Sequence, residues 1–300
     1  MELIELLKAL LIGIVEGITE WLPISSTGHM IIFDNFVTLN VSPEFWKLFL
    51  VVIQLGAIMA VVILYFHRLN PFSSRKTRAA KRATLRLWAK VLVACIPAAV
   101  IGILFDDWFE EHFYNAATVA AALVVYGIAF IVIERIKRPS PQNKGRHARA
   151  LPRAKAQGID LVKHVDELGF IRAFFVGMFQ CLAIVPGTSR SGSTILGGRI
   201  LGISREAAAE FSFFLAIPVM FGWSLLRILK TFVFDGITLS ATEWGVFVVG
   251  ILVAFVVSVV AIRFLMNYIK RHSFEVFGWY RIVLGVVVLA FFLISGQAVF

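Results

Sequence analysis

Apolar runs long enough to span a bilayer, which takes about 20 residues each, recur near 47–66, 88–105, 115–134, 207–230, 243–265 and 277–296. This pattern predicts six spanning helices. Two further apolar segments, 3–24 and 168–186, are broken by proline and polar residues. Charge between the runs is uneven. Residues 67–87 carry seven Lys/Arg, 135–167 carry nine, and 263–273 adds Arg263, Lys270 and Arg271, whereas 106–114 and 231–243 carry none. The positive-inside bias places the first three loops in the cytoplasm and the last two outside. If all eight apolar segments crossed, 231–243 would fall inside and the basic 263–273 outside. Both loops come out correctly if 168–203 enters from the cytoplasm and returns there. Irregular backbone at membrane depth is tolerated only where protein buries it or it lines a wet cavity, so 168–203 is expected to be a re-entrant hairpin.

An internal repeat extends this expectation to the N-terminus. Gly13 to Gly28 spans the same interval as Gly177 to Gly192. In that frame Glu16 corresponds to Gln180, Ser25 to Ser189, Ser26 to Arg190 and Thr27 to Ser191, with Pro23 and Pro186 offset by one. Taken as real, the match makes 1–40 a second hairpin, entering from outside. Three crossings then separate the repeats, and an odd number inverts one relative to the other. The expected fold is all-α integral membrane, six transmembrane helices plus two re-entrant helical hairpins in inverted-topology repeats. Repeat 1 covers about 1–134, a cytoplasmic basic linker 135–167, and repeat 2 about 168–300.

Composition agrees. The 300 residues are 59% hydrophobic and only 16% charged, with a mean hydropathy of +0.85, where a soluble domain averages about a quarter charged. The net charge of +10 could suggest nucleic acid, but the basic residues lie between apolar runs, so cytoplasmic loops are the better account and no nucleic-acid partner is expected. No cleaved signal peptide is expected, because Glu2 and Glu5 oppose Lys8 and no small-residue cleavage pattern follows. Cys95 and Cys181 have no partner at ligand spacing, which argues against a disulfide or metal pair.

The two broken segments carry the candidate chemistry. In "EGITEWLPISSTGHM" (16–30), Glu16 and Glu20 are four apart and share a helix face. An acid at the centre of a membrane helix costs about 2.5–3.5 kcal/mol and defaults to function. Pro23 ends the helix, and Ser25, Ser26, Thr27 and His29 follow around Gly28. In "PGTSRSGSTILGG" (186–198), Gly187 and Gly192 allow tight turns, and Ser189, Ser191 and Ser193 offer hydroxyls. Arg190 offers a planar fork suited to bidentate phosphate contact. A helix over 193–203 would point free N–H groups at an anion. No Gly-Lys-Ser/Thr follows, so this is not a Walker loop. Phosphoryl transfer needs its oxygens clamped, an in-line nucleophile and proton transfer, and Arg190, Ser26 and His29 fit those roles in turn.

At these residues the chain resembles the bacterial undecaprenyl-diphosphate phosphatase family of the bacitracin-resistance type. "EGITEWLPISSTGH" (16–29) is similar to that family's first signature, "PGTSRSG" (186–192) to its second, and "EFSFFLAIP" (210–218) to the stretch that follows. The resemblance covers most of the chain, although the basic insert at 139–163 is longer than usual for the family. It implies an inner-membrane hydrolase that removes the terminal phosphate of undecaprenyl diphosphate, recycling the carrier lipid for cell-wall synthesis. It also implies a divalent cation, Mg²⁺ or Ca²⁺, at Glu16 and Glu20. Ser26 is implied as nucleophile, with His29, Glu20 and Arg190 catalytic, and with Ser25, Thr27, Gly187, Ser189, Arg190 and Ser191 around the diphosphate. Membrane lipid is the expected surrounding, and a homodimer is admitted. The competing reading is a polyprenyl-phosphate transporter, since inverted repeats with midplane hairpins also describe transporters. A transporter needs the arginine and acids but not Ser26 with His29. Among the remaining residues, Trp21, Trp108, Trp223, Trp244 and Trp279 read as interfacial anchors, the other histidines as loop residues, and Glu210 as an ion-pair partner for the nearby Arg205 or a site residue.

Overall fold

The computed structural model describes residues 2–113, 115–137 and 161–295, and among them secondary structure is helical apart from an isolated bridge between Val162 and Ile203. Most of the basic insert lies outside the described residues. The helices of nine or more residues are α1 (Glu2–Thr19), α2 (Ser26–Asp34), α3 (Pro43–Leu64), α4 (Arg78–Phe113), α5 (Ala116–Ile136), α6 (Phe170–Cys181), α7 (Arg190–Ile200), α8 (Arg205–Leu229), α9 (Ala241–Ile269) and α10 (Glu275–Ser295). Six of them, α3, α4, α5, α8, α9 and α10, are long and apolar enough to cross a membrane. The chain is a multi-pass membrane protein.

Three boundaries differ from expectation. Residues 106–113 continue α4 as helix rather than forming a loop. The helix expected at 193–203 runs instead from Arg190 to Ile200, because Ser189 caps it, its hydroxyl accepting the Gly192 N–H at 3.1 Å. The helix carrying the two glutamates stops at Thr19, before Pro23, although the Glu20 N–H still reaches the Glu16 carbonyl at 3.0 Å. Glu16 and Glu20 therefore keep helical register.

Small residues let these helices approach closely, as membrane helices need. A Cβ on Gly127 of α5 would lie 2.6 Å from the Gly278 carbonyl of α10, and one on Gly278 would lie 2.6 Å from the Gly127 carbonyl. Gly13 seats α1 on α9 against the Gly250 carbonyl, and Gly177 seats α6 on α4 against the Ala94 carbonyl. The largest apolar core gathers Phe211, Phe213 and Phe214 of α8 with Ile58 and Val61 of α3 and Val91 of α4.

Polar ties gather the loops at two ends. At one end Glu5 accepts from Lys8 at 2.8 Å and from the Asn40 N–H at 2.9 Å, and Ser42 donates to Glu243 at 3.2 Å. At the other end Arg68 pairs with Glu210 and, at 3.2 Å, with Asp166. There too the Leu161 N–H reaches the Gly202 carbonyl at 2.7 Å. Helix α3 joins the two ends over about 33 Å at 1.5 Å per residue. The α1–α2 pair thus starts and returns at the first end, and the α6–α7 pair at the second. Glu210 pairs with Arg68 across the fold rather than with Arg205, which is 2.6 Å from the fully buried Glu134 alongside Arg199 at 2.8 Å.

Candidate active site

The returning tips of the two short helical pairs meet, and each is built in the same way. Ser25 caps α2 and Ser189 caps α7, with positive φ of 73° and 69°, the two non-glycine residues so placed among those described. Such backbone costs on the order of 1–3 kcal/mol each and concentrates at functional sites. The Ser25 hydroxyl accepts the Gly28 N–H at 3.3 Å, as that of Ser189 accepts from Gly192. Ser26 and Arg190 are consequently the first residues of their helices, where backbone N–H groups lack intrahelical partners and the dipole is positive. Two helix amino ends converging on one place favour an anion.

Glu20 joins the tips. Its Oε2 accepts the Ser26 hydroxyl at 3.1 Å, and its Oε1 accepts an Arg190 N–H at 3.0 Å, across 170 positions of sequence. The Ser191 hydroxyl donates to the Glu20 carbonyl at 3.0 Å. Arg190 also donates to the Ser212 carbonyl at 3.0 Å, while its Nε–H is buried with no partner among the described residues. Its side chain is 12% exposed and that of Glu20 8%, so the ion pair is poorly screened by water. Beneath it lies Trp21, fully buried, with the Arg190 guanidinium 5.8 Å from its ring centre. Trp21 is therefore not an interfacial anchor, whereas Trp108, Trp223, Trp244 and Trp279 are exposed.

Glu16 is buried with Oε1 unpartnered, and it interacts electrostatically with both Glu20 and Arg190. His29 lies one turn beyond Ser26 but does not hold its hydroxyl. Its Nδ1 is 2.7 Å from the Ser25 carbonyl and its Nε2 2.7 Å from the Tyr280 hydroxyl, with the rings stacked. Since a carbonyl only accepts, Nδ1 carries a proton, and in the neutral ring Nε2 accepts from Tyr280. Thr27 is half-buried at the second position of α2. Ser189 lies 3.2 Å from Ser191, hydroxyl to hydroxyl.

The sequence reading missed Arg281. It lies in the first half of α10, is fully buried, and donates to the carbonyls of Pro23 at 3.2 Å, Gly187 at 2.9 Å and Thr188 at 2.9 Å. Its guanidinium is 5.3 Å from the Tyr126 ring centre. One side chain thus ties both tips together. Gly187, at φ +91°, presents that carbonyl while packing against the Val119 backbone where a Cβ would clash. The signal was present: an arginine inside an apolar run is an intramembrane charge with a reason to be there.

Residues 9–287 match the family described as bacitracin resistance protein BacA. The chain belongs to that family. It is 53% identical to an undecaprenyl-diphosphatase of Desulfitobacterium hafniense over 97% of this chain and 98% of the relative. An undecaprenyl-diphosphatase of Enterococcus faecalis is likewise 53% identical, over 96% of this chain and 98% of its own length. One from Acetivibrio thermocellus is 52% identical over 97% and 99%. Both tips fall inside the matched region, so the shared stretch includes the whole of the geometry above.

Proposed function

We propose that this chain hydrolyses undecaprenyl diphosphate to undecaprenyl phosphate and phosphate at the meeting point of the two tips, with the prenyl tail left in lipid. The observation that carries the reading is the Glu20 carboxylate, shared between the Ser26 hydroxyl and the Arg190 guanidinium. A nucleophile, its proton acceptor and a phosphate clamp sit within hydrogen-bond reach of one another. The Arg190 Nε–H and the amino ends of α2 and α7 take the phosphate oxygens. With the diphosphate on Arg190, Glu20 Oε2 stays on the Ser26 hydroxyl and accepts its proton. Ser26 Oγ then forms a bond to the terminal phosphorus, the bond from phosphorus to the bridging oxygen breaks, and undecaprenyl phosphate leaves. Water hydrolyses the phosphoserine. His29, backed by the Tyr280 hydroxyl, serves proton transfer to the leaving phosphate. A transporter would need the clamp but has no use for a hydroxyl held on a carboxylate.

The acids also suit a divalent cation. An unpartnered buried carboxylate oxygen on Glu16 fits an oxygen-preferring ion such as Mg²⁺ or Ca²⁺. Glu16 would be its main protein ligand and Glu20 the second, with phosphate oxygens completing the shell, since no cluster of three or more His, Cys, Asp or Glu occurs among the described residues. When bound, the cation neutralises the diphosphate and polarises phosphorus.

We place the end carrying Arg68, Arg199 and Arg205 in the cytoplasm and the Glu5–Glu243 end outside, on the positive-inside bias. The site is then reached from the outer face of a bacterial inner membrane, between two re-entrant hairpins in inverted repeats. The exchange of packing partners, α1 on α9 and α6 on α4, and the matched caps Ser25 and Ser189 support the repeat.

The direct test is phosphate release from a C55 diphosphate by the purified protein, with and without chelator. No release by metal-replete protein, with lipid translocation in vesicles, overturns the reading in favour of transport. Glu16→Gln is expected to raise the metal concentration for half-maximal turnover about tenfold, and an unchanged metal titration removes Glu16 from the cation. Arg190→Lys keeps the charge but loses the planar fork, and a fall in phosphate release of about a hundredfold is expected. Near-normal turnover would separate Arg190 from the phosphate.

A further inference from the structure

At the end that carries Arg205, an open hollow of about 460 Å³ lies between the start of α8, the end of α9 and the start of α10. Its walls include Arg205, Tyr268, Arg271, His272, Ser273 and Trp279. His272 stacks on Tyr268 at 4.5 Å between ring centres, and Trp279 is 53% exposed just inside the first turns of α10. Glu275 also lines the hollow and is 3.6 Å from Arg135, and Arg205 is engaged by Glu134. Arg271 has no ion-pair partner among the described residues. Because α9 and α10 both qualify as membrane spans and end or begin at this cavity, it opens at headgroup level, where exposed tryptophan and tyrosine side chains settle.

The hollow therefore offers one cation without an ion-pair partner, an acid already engaged by Arg135, aromatic walls and the amino end of a spanning helix. The chain's own basic linker is a poor occupant, since Arg138, Lys144, Arg146, Arg149, Arg153 and Lys155 repeat the cavity's charge and only Asp160 opposes it over 138–160. We propose that this cavity binds the phosphate-bearing headgroup of an anionic phospholipid in the cytoplasmic leaflet, with Arg271 on the phosphate and Trp279 against the glycerol and upper acyl chain. Basic hollows between spanning helices on this side of a membrane hold such headgroups. An arginine rather than a lysine suits a tetrahedral phosphate because its fork makes two parallel bonds.

The test uses the full-length protein in detergent, exchanged against phosphatidylglycerol or phosphatidylcholine, with retained lipid counted by native mass spectrometry. Wild-type protein retains phosphatidylglycerol over phosphatidylcholine. Arg271→Gln loses that retention by about tenfold, Arg271→Lys keeps part of it, and phosphate release from the C55 diphosphate in detergent is unchanged in both. Equal phosphatidylglycerol retention by wild type and Arg271→Gln overturns the proposal. Displacement of the lipid by excess inorganic phosphate, with no preference between the two lipids, assigns the cavity to the free ion and overturns the lipid assignment as well.

Discussion

Replacing Ser26 by alanine abolishes turnover, by about a thousandfold or more, which is about 4 kcal/mol of transition-state stabilisation, while lipid diphosphate binding is largely kept. The hydroxyl is the group whose proton Glu20 already holds at 3.1 Å, and the hydroxyls of Ser25 and Ser191 are committed elsewhere. Ser25 is fully buried, with its oxygen on the Gly28 N–H. Ser191, on the other tip, spends its proton on the Glu20 carbonyl. Binding survives because it rests on Arg190 and the amino ends of α2 and α7, which an alanine at the first position of α2 leaves in place. Single-turnover phosphate release together with equilibrium binding of the labelled diphosphate separates the two quantities. Substantial release by Ser26→Ala would make water the nucleophile and reduce Ser26 to a hydrogen-bonding residue.

Arg281→Leu is expected to cost both stability and activity, although the side chain is not assigned to bond the substrate. Three buried carbonyls, on Pro23, Gly187 and Thr188, lose their donor together. An orphaned buried polar group costs about 1–3 kcal/mol, so a loss of about 2–6 kcal/mol follows even if one carbonyl finds another donor. The two tips are then no longer tied to one point, and a displacement near 1 Å at reacting groups costs about a hundredfold in rate. Thermal unfolding in detergent and phosphate release should fall together. Arg281→Lys should recover part of the stability but little of the rate, since one ammonium cannot span from Pro23 to Thr188 as the guanidinium does. Wild-type unfolding and turnover in Arg281→Leu would show that the tips hold their places without it.

Much of this protein is written locally, and those parts were legible in the sequence. A spanning helix announces itself by an uninterrupted apolar run because lipid allows no unpaired backbone, so all six long helices lie where the runs lie. The two tips were equally plain, since prolines, glycines and hydroxyls inside an apolar chain contradict the lipid around them unless something polar is done there. Where a helix begins depends on a cap, and the cap at Ser189 needed a positive φ that composition does not declare; the expected start at 193 was late for that reason. What only the tertiary structure decided is which distant groups meet. Glu210 had a basic neighbour, Arg205, five positions away and took Arg68 instead; Trp21 looked interfacial and became the floor under Arg190. His29 stood beside Ser26 in the chain, yet the hydroxyl went to Glu20, and the imidazole found Tyr280, 251 positions away. Partner choice for a buried charge is set by which helix faces pack together. That packing is governed by close approaches such as Gly127 on Gly278, which no periodicity in either helix alone specifies.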